Sequence, residues 1–542
     1  MKQLPFAITL EVGSSHANQT GSWRVERPVY VDRVPPCNNA CPAGENIQRW
    51  LYDAEPGDYE TAWRTLVEDN PFPAVMGRIC YHPCETACNR AQLDEAVGIN
   101  AIERFLGDLA IERAWALPPA GADSGKRVLV IGGGPSGLSA AYHLRRLGHE
   151  TRLVDSAPEL GGMMRYGIPA YRLPRTVLNA EVERIIALGV DVKVNHTVRD
   201  IQRERGEGGF DAIFLAVGAQ LSRRVDIPAG DSSHILDAVS LLHRVAENDP
   251  PLLGRRVAIY GGGDTALDAA RTARRLGATD AIIVYRRNKE HMPAHTSELE
   301  EAIEEGVTMR WLSTISRIEE KGLVLETMRL NDEGFPEPTG DFETLDADSL
   351  VLALGQDTDL SLLEGEPGIT IEDGVVEVSP AMLAGPNGIF AGGDAVPSER
   401  TATVAIGHGK RAALGIDAYL ADREVRDPSR GELATFEHLN TWYYTDAPRV
   451  HRPELEAARR QNTFDEVVSG LTEENALFEA RRCLSCGNCF ECDNCFGVCP
   501  DNAVIKLGGS PHYEFDYEFC KGCGICAQEC PCGAIDMSPE RT

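Results

Sequence analysis

The sequence predicts an α/β fold of two Rossmann-like units, preceded by a helical cysteine-bearing region and followed by a small cysteine-rich module. Three observations carry this prediction. Two glycine-rich turns stand 129 residues apart, each between an apolar strand and an amphipathic helix. The 16 cysteines are confined to the chain ends, five between Cys37 and Cys88 and eleven between Cys483 and Cys532, with none in the 394 positions between. Near the C-terminus one cysteine spacing recurs after 31 residues.

The first glycine turn lies in Lys126–Gly137, KRVLVIGGGPSG. Val128–Ile131 reads as a buried parallel strand, and Gly132-x-Gly134-x-x-Gly137, with Pro135 and Ser136 inside it, leads into the amphipathic stretch Leu138–Leu147. Glycine lets the backbone turn tightly and lie against a pyrophosphate, whose charge meets the free N–H groups of the helix start. The next strand, Thr151–Val154, ends in Asp155, 23 residues after Gly132, where an acid can bind a ribose hydroxyl. That context favours a bound dinucleotide over a plain glycine turn.

The second turn follows Arg255, in RRVAIYGGGDTALDAARTARRLG. Gly261-x-Gly263-x-x-Ala266, enclosing Asp264 and Thr265, carries alanine in place of the third glycine, a variant the pattern allows. Two such units imply two dinucleotides. The strand Ala281–Val284 ends in Tyr285-Arg286-Arg287 and not in an acid. Guanidinium groups bind a 2′-phosphate through charge-assisted hydrogen bonds, which favours NADPH; if Arg286 and Arg287 are only a solvated strand end, NADH serves.

Composition narrows the partners. The formal charge of −30 and pI near 4.9 argue against nucleic acid or an anionic membrane surface and suit a basic face on another protein. The first residues, MKQLPFAITLEVGSS, hold one Lys and no long apolar core, and no run of about 18–20 apolar residues occurs. The expected location is cytoplasmic. In a reducing cytosol the cysteine clusters read as metal ligands.

The most specific motif is at the C-terminus. Cys489-x2-Cys492-x2-Cys495-x3-Cys499-Pro500 recurs as Cys520-x2-Cys523-x2-Cys526-x3-Cys530-Pro531. This is the bacterial two-cluster ferredoxin pattern, in which the fourth cysteine of each run binds the other cluster. Cys489, Cys492, Cys495 and Cys530 are therefore assigned to one cluster, and Cys520, Cys523, Cys526 and Cys499 to the other. Cys532 falls opposite Asp501 in this register and reads as a bystander.

Residues 35–118 have helical spacing over Ile47–Leu51, Tyr59–Leu66 and Ile99–Leu109, with loops bearing Cys37-x3-Cys41 and Cys80-x3-Cys84-x3-Cys88. Zinc is one reading. The phrases NPFPAVMGRICYHPCETACNR and VGINAIERFLGD resemble the N-terminal iron–sulfur domain of the glutamate synthase small subunit and of dihydropyrimidine dehydrogenase. The resemblance implies two clusters, one with a carboxylate ligand at the position of Glu103. It also implies a Cys-x2-Cys ahead of Cys37, which this sequence lacks; the matching phrase stands instead at Ala480–Cys486, ARRCLSC. The expectation is that the chain end folds back, so that Cys483 and Cys486 join Cys37 and Cys88, while Cys41, Cys80, Cys84 and Glu103 hold the other cluster. Four [4Fe–4S] clusters then use fifteen cysteines and Glu103.

The same resemblance, over residues 35–420, implies that the first unit binds FAD and the second NAD(P)H. It places Gly162, Gly167 and Ile168 beside the isoalloxazine, Val217 and Gly218 at a second flavin turn, and Gly393 and Asp394 at a third. Thr403, Val404 and Ala405 open the helix facing the flavin, and Gly355 marks the return from the nicotinamide domain. The implied division is an extended arm at 1–34, a helical iron–sulfur domain at 35–120, FAD parts at 121–225 and 357–425 around an NAD(P) domain at 226–356, a connector at 426–475 and a ferredoxin module at 476–542. No cysteine pair stands beside the flavin, so electrons must leave through clusters. Gly21-Ser22-Trp23-Arg24 with Arg27-Pro28-Val29 resembles the arm of the delta subunit of 2-oxoacid:ferredoxin oxidoreductases.

The resulting expectation is an FAD-dependent NAD(P)H:iron–sulfur oxidoreductase subunit, serving a 2-oxoacid oxidoreductase complex or a ferredoxin, with hydride transfer needing no acid–base residue. A glutamate synthase small subunit is the alternative, set back because that subunit usually lacks the C-terminal module. A non-catalytic wiring scaffold is a third, set back by the intact glycines of both turns.

Overall fold

The computed structural model describes residues 19–20, 22, 24–223, 235–319, 322–424, 431–508 and 512–540. Gly21 and Trp23 of the arm phrase, the first eighteen residues, the 225/226 boundary and the start of the connector lie outside them.

The first Rossmann-like unit is a six-stranded sheet in the order Leu383–Gly385, Ile389–Ala391, Ala212–Leu215, Arg127–Ile131, Glu150–Val154, Asp191–Lys193. All pairs are parallel except the edge pair of Leu383–Gly385 with Ile389–Ala391. Arg127–Ile131 is buried from Val128 on, as its continuous apolar run requires of a central parallel strand. The helix after its glycine turn, Pro135–Arg146, begins three residues earlier than its apolar period suggests, because proline is well suited to the first helical position. The second unit is an all-parallel five-stranded sheet centred on Arg256–Tyr260, with Ser349–Leu352 and Asp280–Val284 beside it. A three-stranded antiparallel meander, Ser313–Glu319, Gly322–Leu330 and Pro336–Leu345, is attached to it.

Ahead of these units, helices Ile47–Ala54, Tyr59–Val67, Pro73–Ile79 and Ile99–Glu112 form one continuous core with the first sheet. Pro73–Ile79 leads to Cys80, and Ile99–Glu112 carries Glu103. The two helices cross where only glycine fits, since a Cβ at Gly77 would overlap the Arg104 backbone and one at Gly107 the backbone of Ala74. The buried Glu181 of the first Rossmann-like unit accepts from Ala74 N at 2.8 Å and Val75 N at 2.9 Å, capping Pro73–Ile79 and fixing it to that unit.

The described part of the connector is not a free spacer. Val468 O accepts from Arg104 at 2.7 Å, Val467 N donates to Tyr171 O at 2.9 Å, and Arg452 donates to Gly77 O at 3.0 Å. Helix Glu473–Ala480 then packs on Ile99–Glu112. Within the described part of the arm, Glu26–Tyr30 is a strand paired antiparallel with Ile535–Pro539, so it belongs to the C-terminal module. Among the described residues no helix is long and apolar enough to cross a membrane.

Gly107→Ala tests the helix crossing. The added methyl is expected to cost about 1–3 kcal/mol in urea denaturation and to lower iron content by moving Glu103 away from Cys80. An unchanged midpoint and iron content would show that the helices have room to spare.

Candidate functional site

The first glycine turn is shaped by exclusion. Gly132 has φ +107, and a Cβ there would overlap Ala216 O; one at Gly137 would overlap Gly132 O. Gly134, in contrast, looks onto open space, with nothing nearer its would-be Cβ than Gly162 Cα at 3.8 Å. Beside it Ser136 Oγ is buried without a hydrogen-bond partner among the described residues, at the start of a twelve-residue helix. Backbone left bare by glycine and an orphan hydroxyl at a helix N-terminus suit a pyrophosphate. Asp155 accepts from Gly133 N at 2.6 Å and Ala157 N at 2.7 Å, so it also staples the turn to the following loop.

A cavity of about 370 Å³ opens here and extends to the second unit. Gly132, Gly134, Pro135, Ser136, Asp155, Gly162, Gly167, Ile168, Val217, Gly218, Gly393, Asp394 and Ala405 all line it, as do Asp264 and Thr265 of the second turn. Burial pushes the Asp394 carboxyl up. The structure differs from expectation at the helix Ala402–Leu420. Thr401 caps it through Val404 N, and the cavity is lined by Thr401, Ala402 and Ala405; Thr403 turns inward to Met76 Sδ, 3.6 Å away, and Val404 is not in the lining. The reason is helical pitch, which sends adjacent residues to different faces.

In the second turn, Gly263 has no heavy atom within 4 Å of its would-be Cβ, while Gly261 abuts Ala353 O. Asp264 accepts from His295 N and Nδ1, both at 2.9 Å. His295 stacks on Tyr81 with ring centroids 3.3 Å apart, and both line the cavity. Neither residue was singled out by the sequence; their pairing joins segments more than two hundred residues apart. Arg286 is exposed, and Arg287 Nε is buried without a hydrogen-bond partner among the described residues. Neither lines the shared cavity; they stand at the end of the adjacent strand. Gly355 has φ +98 and lies between the last parallel strand and Gln356, which does line the cavity.

The N-terminal cysteines fall into two groups. Burial pushes the Cys37 thiol well up, and the neighbouring charges of Cys483, Cys88 and Cys486 add to it. Burial likewise pushes Cys84 up, with Glu85, Cys80, Cys41 and Glu103 adding to it. The Cys80 thiol is pushed up to about 12 by burial and by Glu103, against a lowering hydrogen bond from Thr403. Donors already face the sulfurs: His82 N to Cys80 at 3.2 Å, Ser485 N to Cys483 at 3.4 Å and Asn89 Nδ2 to Cys486 at 3.5 Å. Buried thiols that repel one another as thiolates, yet have N–H groups aimed at them, suit an iron–sulfur cluster. Asn70, fully buried, donates from Nδ2 to Glu103 Oε1 at 3.0 Å and to Glu45 Oε1 at 2.9 Å, which fixes the Glu103 carboxylate. Burial, then Glu45, pushes the Glu103 carboxyl well up.

At the C-terminus Cys489, Cys492, Cys495 and Cys530 line one small cavity. Cys526 is pushed up to about 12 by burial, with Cys520, Cys523 and Cys499 as its charged neighbours. Backbone N–H groups of Ala503, Gly522 and Ala534 reach Cys499, Cys520 and Cys530 at 3.3–3.4 Å. Cys532 is closer to this machinery than its register suggests: its Sγ is 3.7 Å from Cys530 Sγ and it lines the same cavity. Among the described residues no three His, Cys, Asp or Glu side chains gather as around a single metal ion. The grouping rests on shared burial, a shared cavity and mutual electrostatic influence.

Comparison with known proteins gives a concordant picture. Residues 125–409 match the pyridine nucleotide-disulphide oxidoreductase family, residues 24–115 match dihydropyrimidine dehydrogenase domain II with its 4Fe-4S cluster, and residues 513–536 match the 4Fe-4S binding domain. Over 500 residues the chain is 34% identical to the NADP(+)-dependent formate dehydrogenase subunit beta of Moorella thermoacetica, spanning 83% of this chain and 70% of that protein. The NADPH-Fe(3+) oxidoreductase subunit beta of Geobacter sulfurreducens is 30% identical over 513 residues, 84% of this chain and 76% of its own. The glutamate synthase (NADPH) small chain of Escherichia coli is 31% identical over 418 residues, 71% of this chain and 89% of its own.

Cys483→Ser tests the joining of the chain ends. The variant is expected to lose roughly four iron atoms per chain or to show an altered cluster spectrum, with flavin content unchanged. Unaltered iron and spectra would separate Cys483 from the N-terminal cysteines.

Proposed function

The chain belongs to the pyridine nucleotide-disulphide oxidoreductase family, and from that premise we propose that it is the NADPH-linked electron-transfer subunit of a multi-subunit oxidoreductase. It is an FAD-dependent NAD(P)H oxidoreductase subunit with 4Fe-4S domains toward both ends. The observation that carries the proposal is the position of Cys80. Ile79 and Tyr81, its two chain neighbours, line the cavity shared by the two dinucleotide units, and among the described residues no cysteine does. That cavity thus has no dithiol outlet among the described residues, and the proposed iron–sulfur ligand Cys80 stands between two of its lining residues.

When bound, a flavin takes up the two electrons of a hydride and exchanges them singly with one-electron acceptors. The chain's own residues supply the setting. Gly134, Ser136 and the helix start would hold the pyrophosphate of one dinucleotide, and Gly263 with Asp264 and Thr265 would receive the other. Tyr81 and His295 close the space between the units. Four ligand sets lead away: Cys41, Cys80, Cys84 and Glu103; Cys37, Cys88, Cys483 and Cys486; then the two C-terminal quartets, each assigned a [4Fe–4S] cluster. Cys492 and Cys523, one from each last quartet, are exposed, which suits delivery to or from a partner.

The resemblance of the arm phrase to that of a delta subunit supports a 2-oxoacid oxidoreductase as the complex served, and the strand Glu26–Tyr30 within that arm joins the C-terminal module. Similarity to the formate dehydrogenase subunit of M. thermoacetica favours a second reading, in which the same outlet serves formate oxidation or NADP reduction.

Anaerobic titration of flavin absorbance with NADPH and with NADH tests the nicotinamide assignment. NADPH is expected to bleach the flavin at lower concentration, and Arg287→Ala to raise the half-saturating NADPH concentration roughly tenfold to a hundredfold, as loss of a charged hydrogen bond implies, with NADH unaffected. Equal effects on both nucleotides would refute the role of Arg287, and failure of both nucleotides to bleach the flavin would refute the proposal.

A further inference from the structure

Thr20, Arg24 and the strand Glu26–Tyr30, near one end of the chain, reach both proposed ligand sets of the ferredoxin-type module near the other. The strand pairs in register from Glu26 with Pro539 to Tyr30 with Ile535. At its C-terminal end Tyr30 Oη lies 3.3 Å from Cys495 Sγ, and its ring stacks on Phe515 with centroids 4.6 Å apart and planes 15° apart. At its other end Arg24 Nη1 donates to Cys520 O at 3.1 Å and Tyr517 O at 2.7 Å, while Nε donates to Glu540 Oε2 at 2.6 Å. Thr20 Oγ1 adds a bond to Cys520 O at 2.7 Å.

We propose that this strand tunes the two clusters of the module separately, Tyr30 acting on the one held by Cys489, Cys492, Cys495 and Cys530, and Arg24 on the one held by Cys520, Cys523, Cys526 and Cys499. The inference rests on the two-cluster reading of the module given above. A ligating cysteine is a thiolate without a proton, so the hydrogen bond runs from the Tyr30 hydroxyl to the sulfur. Such donation withdraws electron density from the ligand and favours the more negative, reduced cluster; hydrogen bonds to sulfur, net charge and solvent exposure set cluster potentials. The phenol, stacked on Phe515, is held where it can donate to Cys495. Arg24 acts by charge. Its guanidinium lies against the Cys520 backbone, with Glu540 as its counterion, so a neutral replacement leaves a carboxylate unopposed beside the cluster and disfavours reduction. Tyr30 and Arg24 are positioning residues and not ligands, and they give the module two independently set potentials from one strand.

The test is an EPR-monitored redox titration of the full holo chain, wild type beside Tyr30→Phe, Arg24→Gln and Arg24→Lys. Iron content and circular dichroism serve as controls, and the signals are assigned with Cys495→Ser and Cys526→Ser. Tyr30→Phe is expected to lower the midpoint of the Cys495 cluster alone, and Arg24→Gln that of the Cys520 cluster alone, with Arg24→Lys close to wild type. Midpoints that stay put, or move together in either variant, would overturn the proposal, as would iron loss in Arg24→Gln that Arg24→Lys fails to restore. A wild-type titration that resolves no pair of clusters in the module would instead refute the two-cluster reading, an outcome visible before any variant is made.

Discussion

The Arg482 guanidinium lies buried among segments far apart in sequence. It donates to Glu95 O at 2.6 Å, Ala96 O at 3.0 Å and Ala447 O at 2.8 Å, and to Glu479 Oε2 at 2.9 Å. Arg90 returns a bond to Arg482 O at 2.7 Å. Glu479, itself fully buried, accepts from Gly98 N and Val450 N. Buried ion pairs of this kind contribute little net stability, but removing one partner strands the other charge in a medium that cannot solvate it. The cluster thus acts as a register pin. It fixes the residue before Cys483 to the loop after Cys88.

With the ends pinned, the helical region at 35–118 is no longer a separate head but the middle of a continuous body. One face is locked to the first Rossmann-like unit through Glu181 and the capped helix Pro73–Ile79. The other receives the return of residues 473–487. Glycine crossings at Gly77 and Gly107 bring Cys80 and Glu103 within one core, next to the wall of the shared cavity. The C-terminal module is then held twice, by the chain leading into it and by the strand Glu26–Tyr30 added to its edge. The shared cavity, the helices bearing Cys80 and Glu103, and the returning segment with Cys483 thus belong to one continuous core.

Much of this was legible in the residues. A buried parallel strand needs a run such as Val128–Ile131, and a phosphate turn needs glycine where Gly132 meets Ala216, so both units announce themselves locally. The ferredoxin-type spacing is equally local. What local pattern does not encode is pairing at a distance. The periodicity of Glu26–Tyr30 is too short to name the strand it pairs with, which is the chain's own Ile535–Pro539. Tyr81 and His295 carried no signal because each is an ordinary residue until the fold stacks one on the other. Thr401 and Ala402 were missed in favour of Thr403 and Val404 because a one-residue shift of helix start rotates which side chains face the cavity. Register counting sets Cys532 aside because it does not encode the turn Cys530–Gly533, closed by Gly533 N donating to Cys530 O at 3.4 Å, within which the two sulfurs lie 3.7 Å apart. The return of Cys483 and Cys486, by contrast, was expected from a phrase displaced along the chain.

The proposed function requires a connected path from the nicotinamide site to the C-terminal module. Rapid-freeze EPR after anaerobic mixing of the holo chain with NADPH detects that path. Flavin reduction is expected to be followed, within the same turnover and without a partner protein, by reduced-cluster signals that include the interacting pair of the C-terminal module. Full bleaching of the flavin with that pair left oxidised, when dithionite can reduce it, would show that no such path exists.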